Sequence, residues 1–310
     1  MKRRREVTSR LAGLPIVLAL GAPFAAAAQT PERPPVIAGC PTENLAFHNC
    51  ALQKAKTFSP PRTPTGRPDL QGYWRSRLTQ AFSVEGVADD HPFVKDINQR
   101  WDPGAPEIVE PADRKIPYQP WAARIGREGV NFREYVDPRT TCSTAGVLRL
   151  ALQDPSQILQ PPTDDHVLWL HEDHHQFRVI AMDSRPPVGR DVGTWNGLAS
   201  GRWEGNTLVI ETTNFNGYAW IDDSGNFYTD TARVTERLTL VDKDTIDYEA
   251  TIEDPTVYTR PWKVAWALVR DTTPGGYELF EEACREGDRD LGRIREQGYK
   301  FYFGAPWRFR

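Results

Sequence analysis

Three stretches in the second half of the chain alternate apolar and polar side chains with period two. Val234, Glu236, Leu238 and Leu240 share one face, opposite Arg233, Thr235, Arg237 and Thr239. Further on, Ile246, Tyr248, Ala250 and Ile252 alternate with Thr245, Asp247, Glu249 and Thr251. Trp262, Val264, Trp266, Leu268 and Arg270 repeat the pattern. Successive side chains of a strand point to opposite faces, so each stretch predicts a strand with one buried and one wet face. Shorter candidates cover 167–172, 176–182, 198–204, 207–212 and 277–283. Asp, Gly, Asn and Pro turns join them, which predicts an antiparallel meander. No regular helices intervene, which disfavours a parallel sheet. Closure into an up-and-down barrel buries the inner faces and removes the sheet edges. A two-sheet sandwich is the competing arrangement.

The first half reads differently. Residues 29–70 are rich in proline and polar residues and predict an extended arm; 71–310 form a single β-rich domain with its strand-rich core at about 155–284. Residues 120–125 predict a short helix with Pro120 in its first turn. Where the arm ends, Gly72-x-Trp74 matches the tryptophan that plugs the closed end of lipocalin-like barrels. A late arginine stacks across that tryptophan in such barrels, and Arg270 is the candidate here. The expected fold is therefore mainly β: an antiparallel, lipocalin-like barrel with an extended Pro-rich arm and a few short helices.

Composition adds a compartment. Lys2, Arg3, Arg4, Arg5 and Arg10 precede an apolar stretch from Leu11 to Ala28 that ends in small residues. That order describes a secretory signal, cleaved near Ala28. Gly13, Pro15, Gly21 and Pro23 interrupt the stretch and make it a poor membrane anchor. The whole chain is −4, and residues 1–28 hold five basic residues and one acid, so the remainder is about −8. An acidic surface argues against nucleic acid, whose binding needs Lys and Arg. No later segment is long and apolar enough to span a bilayer, so a periplasmic or secreted location is expected. The four cysteines, Cys40, Cys50, Cys142 and Cys284, then read as disulfides. Of three pairings, Cys40–Cys50 with Cys142–Cys284 is favoured: one closes a short loop and the other ties an early segment to a late one.

Several blocks resemble a large, poorly characterised family of exported bacterial β-rich proteins. They are Pro68-Asp69-Leu70-x-Gly72-x-Trp74, Pro117-Tyr118-Gln119-Pro120-Trp121-Ala122 and Ser200-Gly201-x-Trp203-Glu204-Gly205-Asn206-Thr207-Leu208-Val209. Val234-Thr235-Glu236-Arg237, Asp254-Pro255-x-x-Tyr258-Thr259-x-Pro261-Trp262 and Glu282-x-Cys284-x-Glu286 complete the set. The resemblance covers residues 68–286 and implies export and a β-rich body, with no settled activity. Where members often carry Asp, this chain has Asn206, and it lacks a His-Ser-Glu-like stretch near Thr229-Asp230-Thr231.

Candidate chemistry gathers at three places. Glu236 alternates with apolar residues and should point inward, where a carboxylate must be paired or protonated; Arg270 is a possible partner. In an aromatic-lined interior Glu236 could also act as a general acid or base. Glu172, His175 and Arg178 flank a predicted turn: His175 could exchange protons near neutral pH, and Arg178 could hold a carboxylate or phenolate. His171-Glu172-Asp173-His174-His175 fits the H-E-x-x-H zinc-protease pattern, which requires a helix. Strand-like flanks favour a polar hairpin turn, so no metal is assigned. No Gly-rich phosphate loop or dinucleotide fingerprint is present, and no cofactor is expected. Trp262, Trp266 and Tyr248 would line a pocket for an apolar or aromatic ligand, with Arg178 and Arg270 holding an anionic part.

The expected function is binding of a small apolar or aromatic molecule by an exported barrel, with cofactor-independent acid/base chemistry of lyase or isomerase type at Glu236, His175 and Glu172. The alternatives are a non-catalytic binder or carrier, and a metal-dependent hydrolase using the histidine cluster 171–175.

Overall fold

A computed structural model of the protein describes residues 36–76, 82–86, 106–127, 137–152, 155–183, 192–282, 284 and 296. Residues 1–28, read from the sequence as a secretory signal, and the cleavage point expected near Ala28 lie outside the described residues. The fold is mainly β, with ten strands and three short α-helices among the described residues.

Nine strands close into a barrel. In spatial order they are β1 (Gly72–Ser76), β3 (Ser156–Leu159), β4 (His166–His171), β5 (Phe177–Ala181), β6 (Leu198–Glu204), β7 (Thr207–Thr213), β8 (Arg233–Asp242), β9 (Thr245–Glu253) and β10 (Trp262–Arg270). β10 returns to β1 through Trp74 opposite Arg270 and Ser76 opposite Leu268. The short β2 (Ile108–Glu110) shares that edge of β10, opposite Lys263 and Val264. All pairings in the barrel are antiparallel except β5–β6, which run parallel with Ile180 against Ala199 and Ala181 against Ser200. The up-and-down order is thus interrupted once, by the long connection between those two strands. Residues 277–282 form no strand; Tyr277 lies edge-on to Tyr73 instead.

Alternation decides what fills the barrel. On β8, Val234, Glu236, Leu238 and Leu240 are buried, as are Ile246, Tyr248, Ala250 and Ile252 on β9 and Trp262, Val264, Trp266 and Leu268 on β10. The β6–β7 hairpin turns at Gly205-Asn206, where Gly205 has a φ of +61°, a conformation L side chains rarely adopt. At one end Trp74 is fully buried, and the Arg270 guanidinium lies 4.2 Å from its ring centroid. Trp74 also donates its indole N–H to the Leu70 carbonyl at 2.8 Å. This is the tryptophan–arginine contact expected of a lipocalin-like closed end, and it removes Arg270 from the vicinity of Glu236.

The helices serve as covers. α1 (Asn44–Ala55) starts at Glu43, whose carboxylate accepts from the Ala46 amide at 2.9 Å. A helix therefore stands inside the segment read as an extended arm. Phe47 and Ala51 pack on Val241 and Ala267 outside the barrel, where small residues at Ala265 and Ala267 let the helix approach. α2 (Pro120–Arg127) begins with proline in its first turn, as expected. α3 (Val147–Leu152) is buried on every side and receives the Trp266 indole N–H at the Ala151 carbonyl, 3.3 Å away. Two disulfides join Cys40 to Cys50 and Cys142 to Cys284, the favoured pairing. Among the described residues no helix is long and apolar enough to cross a membrane.

Candidate functional site

A polar cluster stands among the aromatic residues of the interior. It grows from the alternation of β4, β5, β8 and β9, which turns Trp169 and His171, Arg178, Glu236 and Tyr248 inward. Arg178 grips Glu236 with both guanidinium arms: Nη1 donates to Oε1 at 2.9 Å and Nη2 donates to Oε2. Nη2 also reaches the Thr212 hydroxyl at 3.2 Å, and Tyr248 donates its hydroxyl to Glu236 Oε1 at 2.9 Å. Both charges are sealed from solvent, so the pair is stable only because its geometry and added hydrogen bonds offset desolvation.

Aromatic rings enclose this pair. Tyr248 stacks on Trp266 with centroids 4.4 Å apart. Trp169 stacks on His171 at 5.2 Å, and the Arg178 guanidinium lies 5.5 Å from the Trp169 ring. Tyr228, packed on Phe215 at 4.9 Å, is close enough for its hydroxyl to feel the charges of Arg178 and Glu236.

Several polar atoms here have no partner at hydrogen-bonding geometry: the Trp169 indole nitrogen, both ring nitrogens of His171, Arg178 Nε and the Tyr228 hydroxyl. A buried polar atom left unpaired costs about 1–3 kcal/mol, and five of the nine such atoms among the described residues lie here. Electrostatics follow from burial. Desolvation and then the Arg178 charge push His171 down to about 3, against weaker opposing pulls from Asp173 and the Leu150 carbonyl. Desolvation and then the Glu236 charge raise Tyr248 well above its ordinary value. At neutral pH the cluster therefore holds a neutral imidazole and neutral phenols around the Arg178–Glu236 contact.

The sequence-derived candidates divide into three places. Glu236, Arg178, Tyr248 and Trp266 meet in this cluster. Trp262 is inside the barrel too, but lies edge-on to Tyr258 at 5.6 Å. Arg270 sits on Trp74 at the closed end, so Glu236 pairs with Arg178 instead. Glu172 and His175 lie on the turn after β4: Glu172 accepts from the Tyr277 hydroxyl and from the Phe280 amide at 3.0 Å, and His175 is exposed. The turn does not bring them to Glu236.

That turn also disposes of the H-E-x-x-H reading. His171 ends a strand and faces inward, and His174 and His175 have left-handed φ of 50° and 54°, so the two terminal histidines share no helix face. Asp173, His174 and Glu282 do place potential ligand atoms within 4.8 Å of one another. Arg139 already binds Asp173 at 2.6 Å, however, and His174 Nδ1 lies 3.1 Å from the same carboxylate, a self-contained ion-pair arrangement.

Sequence reasoning placed Trp169 within a predicted strand but passed over His171 and Tyr228 as interior groups. For His171 the signal was present, because it alternates with Val167 and Trp169. Tyr228 lies in a loop, where no period applies. Outside the barrel, His48 of α1 sits between Asp247 and Glu249, 3.0 and 3.2 Å away, and these acids raise it to about 9 against the opposing effect of burial. Buried Glu107, likewise unforeseen, is pushed up to about 8 by desolvation and by Asp222.

No protein-family model, curated protein or solved structure matches this chain.

Proposed function

We propose that this is an exported barrel protein that binds a small apolar or aromatic molecule inside the barrel, beside the Arg178–Glu236 pair. The observation that carries the reading is the set of unpartnered polar atoms on Trp169, His171, Arg178 and Tyr228, gathered among stacked aromatic rings. A few convergent polar groups within an aromatic lining are the ordinary composition of a small-molecule site. Export is supported by the basic, apolar and small-residue order of residues 1–28 together with the two disulfides.

Binding is favoured over acid/base catalysis on physical grounds. The bidentate Arg178 holds Glu236 as a compensated carboxylate, and His171 and Tyr248 titrate far from neutrality in opposite directions. The catalytic reading has one observation in its favour, the Tyr248 hydroxyl donated to Glu236 in a dry interior. Catalysis by this pair predicts that Tyr248→Phe and Glu236→Gln each abolish turnover, whereas a carrier keeps most of its affinity in Tyr248→Phe.

Native mass spectrometry of the disulfide-intact protein isolated from periplasm, compared with its denatured mass, tests the reading. An organic mass released on denaturation is expected. A zinc mass, or an empty protein whose tryptophan fluorescence ignores aromatic ligands, overturns it.

A further inference from the structure

The unpartnered atoms define the chemistry of what they would accept. We infer that the molecule bound inside the barrel is uncharged and flat, and that it presents a hydrogen-bond acceptor, an aromatic ketone, aldehyde or quinone oxygen, to Trp169, Tyr228 and Arg178. This rests on the proposal that the interior binds a small molecule and adds its chemical class.

Donors dominate the unmet demand. The Trp169 indole and Arg178 Nε can only donate. The Tyr228 hydroxyl can donate or accept, and neutral His171 offers one of each. A hydrocarbon would leave these N–H and O–H groups unpaired, whereas an acceptor oxygen satisfies one or more of them.

Charge narrows the class further. Arg178 is neutralised by Glu236 through both guanidinium arms, so a ligand carboxylate would be buried beside Glu236 without a counter-charge of its own. An ammonium would be buried beside the Arg178 guanidinium and would have to compete with it for Glu236. Both ionic classes lose more on desolvation than the cluster can return. The stacked pairs Trp169–His171 and Tyr248–Trp266 gather aromatic surface beside these donors, which suits an aromatic ligand.

The test uses the mature, disulfide-intact protein and ligands that differ in one group on the same ring: 2-acetylnaphthalene, 2-ethylnaphthalene, 2-naphthoate and 2-naphthylmethylammonium, with the matching benzene series. Affinities are read by quenching of tryptophan fluorescence and by calorimetry, in the native protein and in Tyr228→Phe and Trp169→Phe. The ketone should bind about tenfold more tightly than its ethyl counterpart, the effect of one buried hydrogen bond. That preference should shrink in at least one variant. Tyr228→Phe removes only an unpartnered hydroxyl, so its Tm should stay the same or rise.

Equal or tighter binding of the ethyl compounds, or tightest binding of either ion, overturns the acceptor inference and leaves interior binding standing. A ketone preference unchanged in both variants also overturns it, by showing that other donors hold the oxygen. Failure of every ligand in both series overturns the interior-binding proposal itself.

Discussion

Two histidines are held at opposite protonation extremes, and together they shape how stability depends on pH. His171 is pushed down to about 3 inside the barrel. The unfolded chain, with an ordinary histidine, binds the extra proton first as pH falls from about 6.5, so the folded state loses up to about 1.4 kcal/mol per pH unit from this residue. His48 is raised to about 9, so its contribution is complete below about 6.5 and disappears as pH rises through 9. Buried Glu107, raised to about 8, opposes the His171 slope above about 4.5, so thermal melts should show a plateau between about pH 4.5 and 6.5 that falls away on both sides. His171→Phe should flatten the acid arm, and His48→Gln the alkaline arm. The same scale decides the interior pair: Arg178→Met should destabilise by about 3–5 kcal/mol in urea unfolding, because it strands Glu236 without a counter-charge. The inward aim of Glu236 is legible from its alternation with Val234 and Leu238. Its partner is not, because alternation assigns Arg178 and Arg270 the same inward sense. Only barrel closure sends one across the interior to Glu236 and the other onto Trp74.

At the scale of elements, β4 to β10 were legible, β1, β2 and β3 were not, and of the covering helices only α2 was. β6 and β7 carry a hairpin signal in the chain itself, and β8, β9 and β10 announce a buried face by period. α1 has no comparable stripe: Phe47 and Ala51 are its main buried apolar contacts, and prolines flank it at a short distance on both sides. Its stability comes from docking on β10 and from His48 between Asp247 and Glu249, which are long-range effects, and from the short Cys40–Cys50 link. For the same reason the polar face expected for β9 is partly covered, with Asp247 buried under the helix. The candidate site divided likewise: residues on periodic strands could be placed from sequence, whereas Tyr228 and the turn holding Glu172 and His175 could not.

For the whole molecule, the disulfides have unequal reach. Cys40–Cys50 spans 10 residues and Cys142–Cys284 spans 142. By loop-closure entropy the first contributes about 3 kcal/mol and the second about 5 kcal/mol. Paired serine replacements, followed by denaturant unfolding, should show the larger loss for the Cys142–Cys284 variant. If Cys40→Ser/Cys50→Ser proves the more damaging, α1 docking contributes more to the whole than its small buried surface implies.

The parallel join between β5 and β6 has a consequence for how the barrel comes into being. From β6 to β10 the chain is a continuous meander, each strand pairing with the next over most of its length. β1 instead pairs with β3 and with β10, the last of the described strands. The portion that can assemble from neighbours is thus the portion synthesised last, while the first strand made must wait for the final one. Short-range pairing precedes long-range closure because loop entropy opposes the latter. The ring is completed only after β10 has been made.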